Sequence, residues 1–70
     1  MRYRAEVYQW NTEELVAELG YWESRQAAQM ICVAFQRAPL PLFWEQPWEG
    51  IWQAEADAYW YKVVAVAGIK

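Results

Sequence analysis

Ser24-Arg25-Gln26-Ala27-Ala28-Gln29-Met30-Ile31-Cys32-Val33-Ala34-Phe35-Gln36-Arg37 decides the fold, because it is the one stretch that reads clearly as helix. It contains no Gly or Pro, and its Ala and Met residues favour the helical backbone. Ser24 suits the N-cap, where a hydroxyl accepts from a free amide of the first turn. At 100° per residue Ala27, Ala28, Ile31, Ala34 and Phe35 form an apolar stripe, with Arg25, Gln26, Gln29 and Gln36 opposite. Arg37 suits the negative end of the helix dipole, and Pro39 stops the helix soon after.

On the N-terminal side, Arg2 to Trp10 alternates with period two. Tyr3, Ala5 and Val7 fall on one face, and Arg4, Glu6, Tyr8 and Trp10 on the other. Asn11-Thr12-Glu13-Glu14 reads as a hairpin turn into a second strand from Leu15 to Tyr21, with Leu15, Ala17 and Leu19 on one side. On the C-terminal side, residues 38–47 read as a stiff loop. Trp48 to Glu55 reads as a strand, although its Ala and Glu content also permits a helix starting at Pro47. Tyr59 to Ala67, rich in aromatic and β-branched residues, is the clearest strand of all. The order β-β-α-β-β gives an α+β fold: a small single domain over residues 1–70, an antiparallel sheet with one helix packed on one face.

Composition narrows the chemistry. The 70 residues carry six basic and nine acidic side chains, a net charge of −3, so generic binding to duplex phosphates is not expected. There is no His, which removes the usual general base near neutral pH and the commonest metal ligand. Ser24 is accounted for as a cap, Gly20, Gly50 and Gly68 are too isolated for a phosphate loop, and pairs such as Glu14 and Glu18 read as solvated surface. Cys32 lies beside the apolar stripe and reads as a small buried hydrophobe, with no neighbouring base to activate it. The expectation is a protein that is not an enzyme and needs no cofactor, metal or small-molecule substrate. One Cys cannot form an internal disulfide, which points to a reducing compartment such as the cytoplasm. The charged N-terminus does not read as a signal peptide, and the longest apolar run, Val63 to Gly68, is far short of the ~20 residues of a membrane span.

What the chain has in excess is aromatic surface: six Trp, five Tyr and two Phe. Parity assigns Tyr3, Ala5, Val7, Leu15, Ala17, Leu19, Trp48, Trp52, Ala54, Tyr59, Tyr61, Val63 and Ala65 to the helix-covered face. The opposite face then keeps Tyr8, Trp10, Val16, Ile51, Trp60, Val64 and Val66, with Lys62 marking it as outward. An open face this apolar points to an interaction surface, unless Phe43 and Trp44 of the proline loop fold over it. The partner is expected to be another protein, or a second copy in a homodimer, bound through Tyr8, Trp10, Trp60 and Val64 with Arg4 and Lys62 at the rim. Docking by an edge strand is the other route. A single-stranded nucleic acid is the alternative partner, its bases stacked on Tyr8, Trp10 and Trp60 and its backbone near Arg2, Arg4 and Lys62. One helix on a small sheet, in a compact acidic chain without catalytic groups, resembles some small phage-encoded inhibitors, including certain anti-CRISPR proteins. That resemblance is one of architecture, and it implies inhibition by occupancy.

Overall fold

The computed structural model describes residues 1–36, 41–56 and 58–67. It shows the expected α+β fold, with five antiparallel strands in one sheet and one helix. The strands are β1 (Arg2–Gln9), β2 (Leu15–Trp22), β3 (Glu45–Trp48), β4 (Ile51–Ala56) and β5 (Tyr59–Val66), and α1 is Arg25–Phe35. The sheet order is β2-β1-β5-β4-β3, so the first and last strands lie side by side at its centre.

The central strands follow their alternation. Val7 pairs with Tyr61, Ala5 with Val63 and Tyr3 with Ala65, while Ala54 meets Tyr61 from the other side. These residues face the helix, and Ala5, Val7, Tyr61 and Val63 are buried with Ala28 and Cys32 of α1. Each fully buried Val contributes about 1.5–3 kcal/mol relative to an exposed one. Phe35 packs edge-on against Tyr59 and Tyr61 at ring-centroid distances of 5.9 and 6.4 Å, which fixes the C-terminal end of α1 over β5. At the other end the Arg25 guanidinium lies 5.5 Å from the Trp52 ring centroid.

Ser24 caps the helix as expected: its backbone is extended and its hydroxyl accepts from the Ala27 amide at 3.0 Å. The helix ends at Phe35, and the Gln36 amide donates to the Val33 carbonyl. Arg37, Pro39 and Gly68 lie outside the described residues. The buried stripe is narrower than the sequence suggests. It centres on Ala28 and Cys32, flanked by Ile31 and Phe35, while Ala34 is exposed.

The edges of the sheet depart from simple alternation. Leu15, expected in the core, pairs with outward-facing Tyr8 and is 46% exposed. The cause is an irregularity at Val16, which inserts an extra residue and inverts the parity on its far side. A second lies between Glu18 and Tyr21, where Gly20 takes a φ of +90° that favours glycine. On the other edge, the stretch expected as a loop over 38–47 holds the first three residues of β3, a fifth strand. The expected strand from Trp48 to Glu55 is in fact two: Trp48 closes β3, Glu49-Gly50 turns, and Ile51 opens β4. Gly50 at a φ of +80° makes that turn possible. Trp48, expected under the helix, instead pairs with Ile51 and is 67% exposed. The helical alternative beginning at Pro47 does not form.

Candidate functional site

The sheet surface turned away from α1 is built on the cross-strand pair Tyr8 and Trp60. Their rings stack, with centroids 4.5 Å apart and planes 13° from parallel. The Lys62 ammonium is 5.7 Å from the Tyr8 centroid and 5.8 Å from that of Trp60. A charge equidistant from two stacked rings lies beside the stack, not beyond either outer face. Lys62 therefore flanks the pair and leaves the far side of Trp60 uncovered.

Below Tyr8 on the same strand face is Glu6, only 7% exposed. Its Oε1 accepts from the Tyr8 hydroxyl at 2.8 Å, and its Oε2 lies 3.0 Å from Arg4 Nε. The Arg4 approach pairs the charges without an aligned hydrogen bond. Burial, then the hydrogen bond and negative charge of Glu6, push the Tyr8 hydroxyl up to about 12. Tyr8 is thus neutral and acts as a fixed donor across the ordinary pH range. Val64 lies between Arg4 and Ile51 on the neighbouring strands and is half-buried. Four of the residues expected at the surface, Arg4, Tyr8, Trp60 and Lys62, thus form one cluster, with Val64 beside it.

Trp10 is placed differently. It was expected to continue the strand, but β1 ends at Gln9 and Trp10 begins the turn. The turn is held by Gln9 N donating to Glu14 O at 2.8 Å and Glu13 N to Gln9 O at 2.9 Å, with Glu13 in the left-handed region at a φ of 59°. Trp10 N donates to Ala58 O at 2.8 Å and so ties this turn to the one joining β4 and β5. The result is a cleft of about 460 Å³ lined by Trp10, Glu13, Gln53, Glu55 and Trp60. Glu13, Gln53 and Glu55 were not among the expected site residues. The matched parity of Gln53, Glu55 and Ile51 was visible in the sequence; the arrival of the Glu13 turn beside them was not.

The proline loop does not cover this face among the described residues. Leu42 and Trp44 pack against the helix-side core, and Trp44 lines a groove with Gln26, Gln29, Met30 and Val33 of α1. Phe43 is 85% exposed and only borders this face, lining a second hollow with Glu45, Gln53, Ala54 and Glu55. Cys32 is fully buried, and desolvation pushes its thiol up to about 12, so it is a protonated core residue at neutral pH. No three His, Cys, Asp or Glu side chains converge as a metal site among the described residues. No helix there is long and apolar enough to cross a membrane. No protein-family model matches the chain, and no match was found among curated proteins or solved structures.

Proposed function

We propose that this chain is a protein-binding module that acts by occupancy in the cytoplasm, and that its contact surface is the open sheet face around Tyr8, Trp10 and Trp60. The observation that carries the reading is the combination of a rigid aromatic centre with an adjoining cleft. The Tyr8–Trp60 stack is braced by Glu6, and Trp10 and Trp60 line the cleft beside it. Trp and Tyr are the side chains most often found at the energetic centres of protein interfaces. A face already held in place loses little conformational freedom when a partner arrives.

The sheet edges offer less. The outer edge strand β3 has four residues and contains Pro47, which lacks an amide proton, and β2 is interrupted by two irregularities. Both are features that discourage strand addition. Stacking of unpaired bases is also disfavoured. Tyr8 and Trp60 stack on each other, and the free side of Trp60 looks toward Glu55, its cross-strand partner. A phosphate backbone is repelled there.

The test is selection of a random 12-residue peptide display library on the purified protein. Peptides that bind the native chain and lose binding to Trp60→Glu, in a variant whose far-UV circular dichroism is unchanged, support the reading. Selected peptides that bind Trp60→Glu normally and are blocked by Met30→Glu would move the site to the groove under Trp44. Collapse of the folded spectrum in Trp60→Glu would make Trp60 a structural residue; Trp10→Ser, on the exposed turn, then reports on the same face. Light scattering across a hundredfold concentration range addresses the second-copy partner: a constant dimer mass means the face is used by the protein on itself.

A further inference from the structure

We propose that the cleft between Trp10 and Trp60 receives an arginine side chain of the partner, held by the carboxylates of Glu13 and Glu55. The inference rests on the open face being the binding surface, and adds what chemistry that surface selects.

Trp60 has Tyr8 as its neighbour on β1 and Glu55 as its neighbour on β4. One side of the indole is used in the stack with Tyr8, and the other looks over Gln53 and Glu55 into the cleft. Trp10 and Glu13 enter the same cleft from the β1–β2 turn. An aromatic face attracts a cation through its quadrupole, Trp most strongly. Two carboxylates on separate elements add charge of the complementary sign. Neither Glu13 nor Glu55 has an ion-pair partner among the described residues. Among the described cations, Lys62 lies beside the Tyr8–Trp60 stack, 5.7 and 5.8 Å from the two ring centroids, and Arg4 is paired with Glu6.

Arginine fits better than lysine for three reasons. Its planar guanidinium stacks on an indole, presents donors in a fork that suits carboxylates, and is less strongly hydrated than an ammonium. A metal cation is a poorer occupant, because hard cations take six or more oxygen ligands and the described residues of the cleft offer two carboxylates and one amide. At about 460 Å³ the cleft also has room for the backbone on either side of the inserted residue. Its walls are held before binding: Gln53, Glu55 and Trp60 stand on the paired strands β4 and β5, and the Trp10 amide bond to Ala58 O ties the turn bearing Trp10 and Glu13 to the end of that hairpin.

The peptides selected on the open face provide the test. The expected result is enrichment of arginine at one position. Replacing that arginine by citrulline, which keeps the shape and removes the charge, should weaken binding about tenfold by isothermal titration. Glu55→Gln and Glu13→Gln should each weaken the arginine peptide and leave the citrulline peptide unchanged, which ties the loss to this cleft. Lysine in place of arginine should bind more weakly than arginine. Peptides that require Trp60 but tolerate citrulline, or that ignore both Glu substitutions, would overturn the arginine site while leaving the open face as the binding surface. Peptides that do not require Trp60 or Trp10, or failure to select any, would count against the surface and the arginine site together. Both Glu side chains are exposed, so their Gln variants should fold, with unchanged circular dichroism as the check.

Discussion

The two faces of the sheet are held by different physics. Under α1, Ala5, Val7, Tyr61 and Val63 meet Ala28 and Cys32 in a core with no charged group among its buried members. On the open side, the best-buried residue is the carboxylate Glu6, and the packing around it is the Tyr8 hydroxyl, the Arg4 guanidinium and the Tyr8–Trp60 stack. The first face is stabilised by removing apolar surface from water, which is non-directional and tolerant of repacking. The second depends on directed contacts, in which one missing partner leaves another unsatisfied. A surface can therefore be fully exposed to a partner and still be rigid, provided its polar groups hold one another.

The largest loss of stability is expected in the apolar core. Tyr61→Ala should cost about 3–5 kcal/mol, by the range for removing a large buried aromatic side chain. A core this small supplies only about 3–5 kcal/mol in total. The variant should be unfolded by far-UV circular dichroism at 25 °C; a cooperative urea transition near that of the parent would show that the helix side is not what holds the molecule. Next in size is Glu6→Ala, which strands the Tyr8 hydroxyl and the Arg4 charge. It should lower the unfolding free energy by about 1–3 kcal/mol in urea titration. No change in midpoint would mean that the open face is decoration on a structure set entirely by the other side.

Raising the pH tests both faces in sequence. The Cys32 thiol and the Tyr8 hydroxyl both have raised values in the folded state, so each contributes stability that is complete below its unfolded value. For Cys32 that stability is lost as pH rises from 9 to about 12, and for Tyr8 from 10 to about 12. Cys32→Ala should remove the onset nearer pH 9, whereas Tyr8→Phe should remove only the part above pH 10, as read from thermal melts across the range. Burial also shields the Cys32 thiol. At pH 8 it should react with a thiol reagent only as fast as the chain unfolds, and prompt native-state reaction would place it nearer the surface. The smallest effect concerns the facing pair Glu6 and Glu18 on β1 and β2. Like charges opposite each other oppose pairing, so Glu18→Lys should stabilise by about 0.2–1 kcal/mol. Destabilisation in urea would mean that Glu18 has a favourable role in that pairing.

The legible part of the fold was the part whose local pattern and tertiary role agree. Ser24 announces its helix because capping chemistry is local. Arg2–Gln9 and Tyr59–Val66 alternate without interruption because they are central and paired on both sides. At the edges parity misleads: one extra residue at Val16 turns Leu15 outward, and a strand containing Pro47 does not look like a strand. The site divides in the same way. Tyr8, Trp60, Lys62 and Arg4 share a face by simple alternation and are gathered there. Glu13, Gln53 and Glu55 converge only because β4 lies next to β5 and because two turns are bonded together. No single stretch of sequence carries that information.

The central position of β1 and β5 has a kinetic consequence. Arg2 faces Val66 and Gln9 faces Tyr59, so the middle of the sheet is made by closing nearly the whole chain. The hairpin β1–β2 can form early, but it then exposes Val7 and Ala5 until β5 reaches them. Non-local pairing of this kind slows folding, because chain entropy is lost before the contacts reward it. The same feature brings Arg2 and Val66 together at the end of the sheet. A circular permutant that joins β5 to β1 by a designed linker and opens the exposed turn at Thr12 converts this distant pairing into a hairpin. The cut makes β1–β2 the distant pairing in its place, so the permutant should fold at a rate close to the parent's, with the β5–β1 hairpin forming first instead of β1–β2.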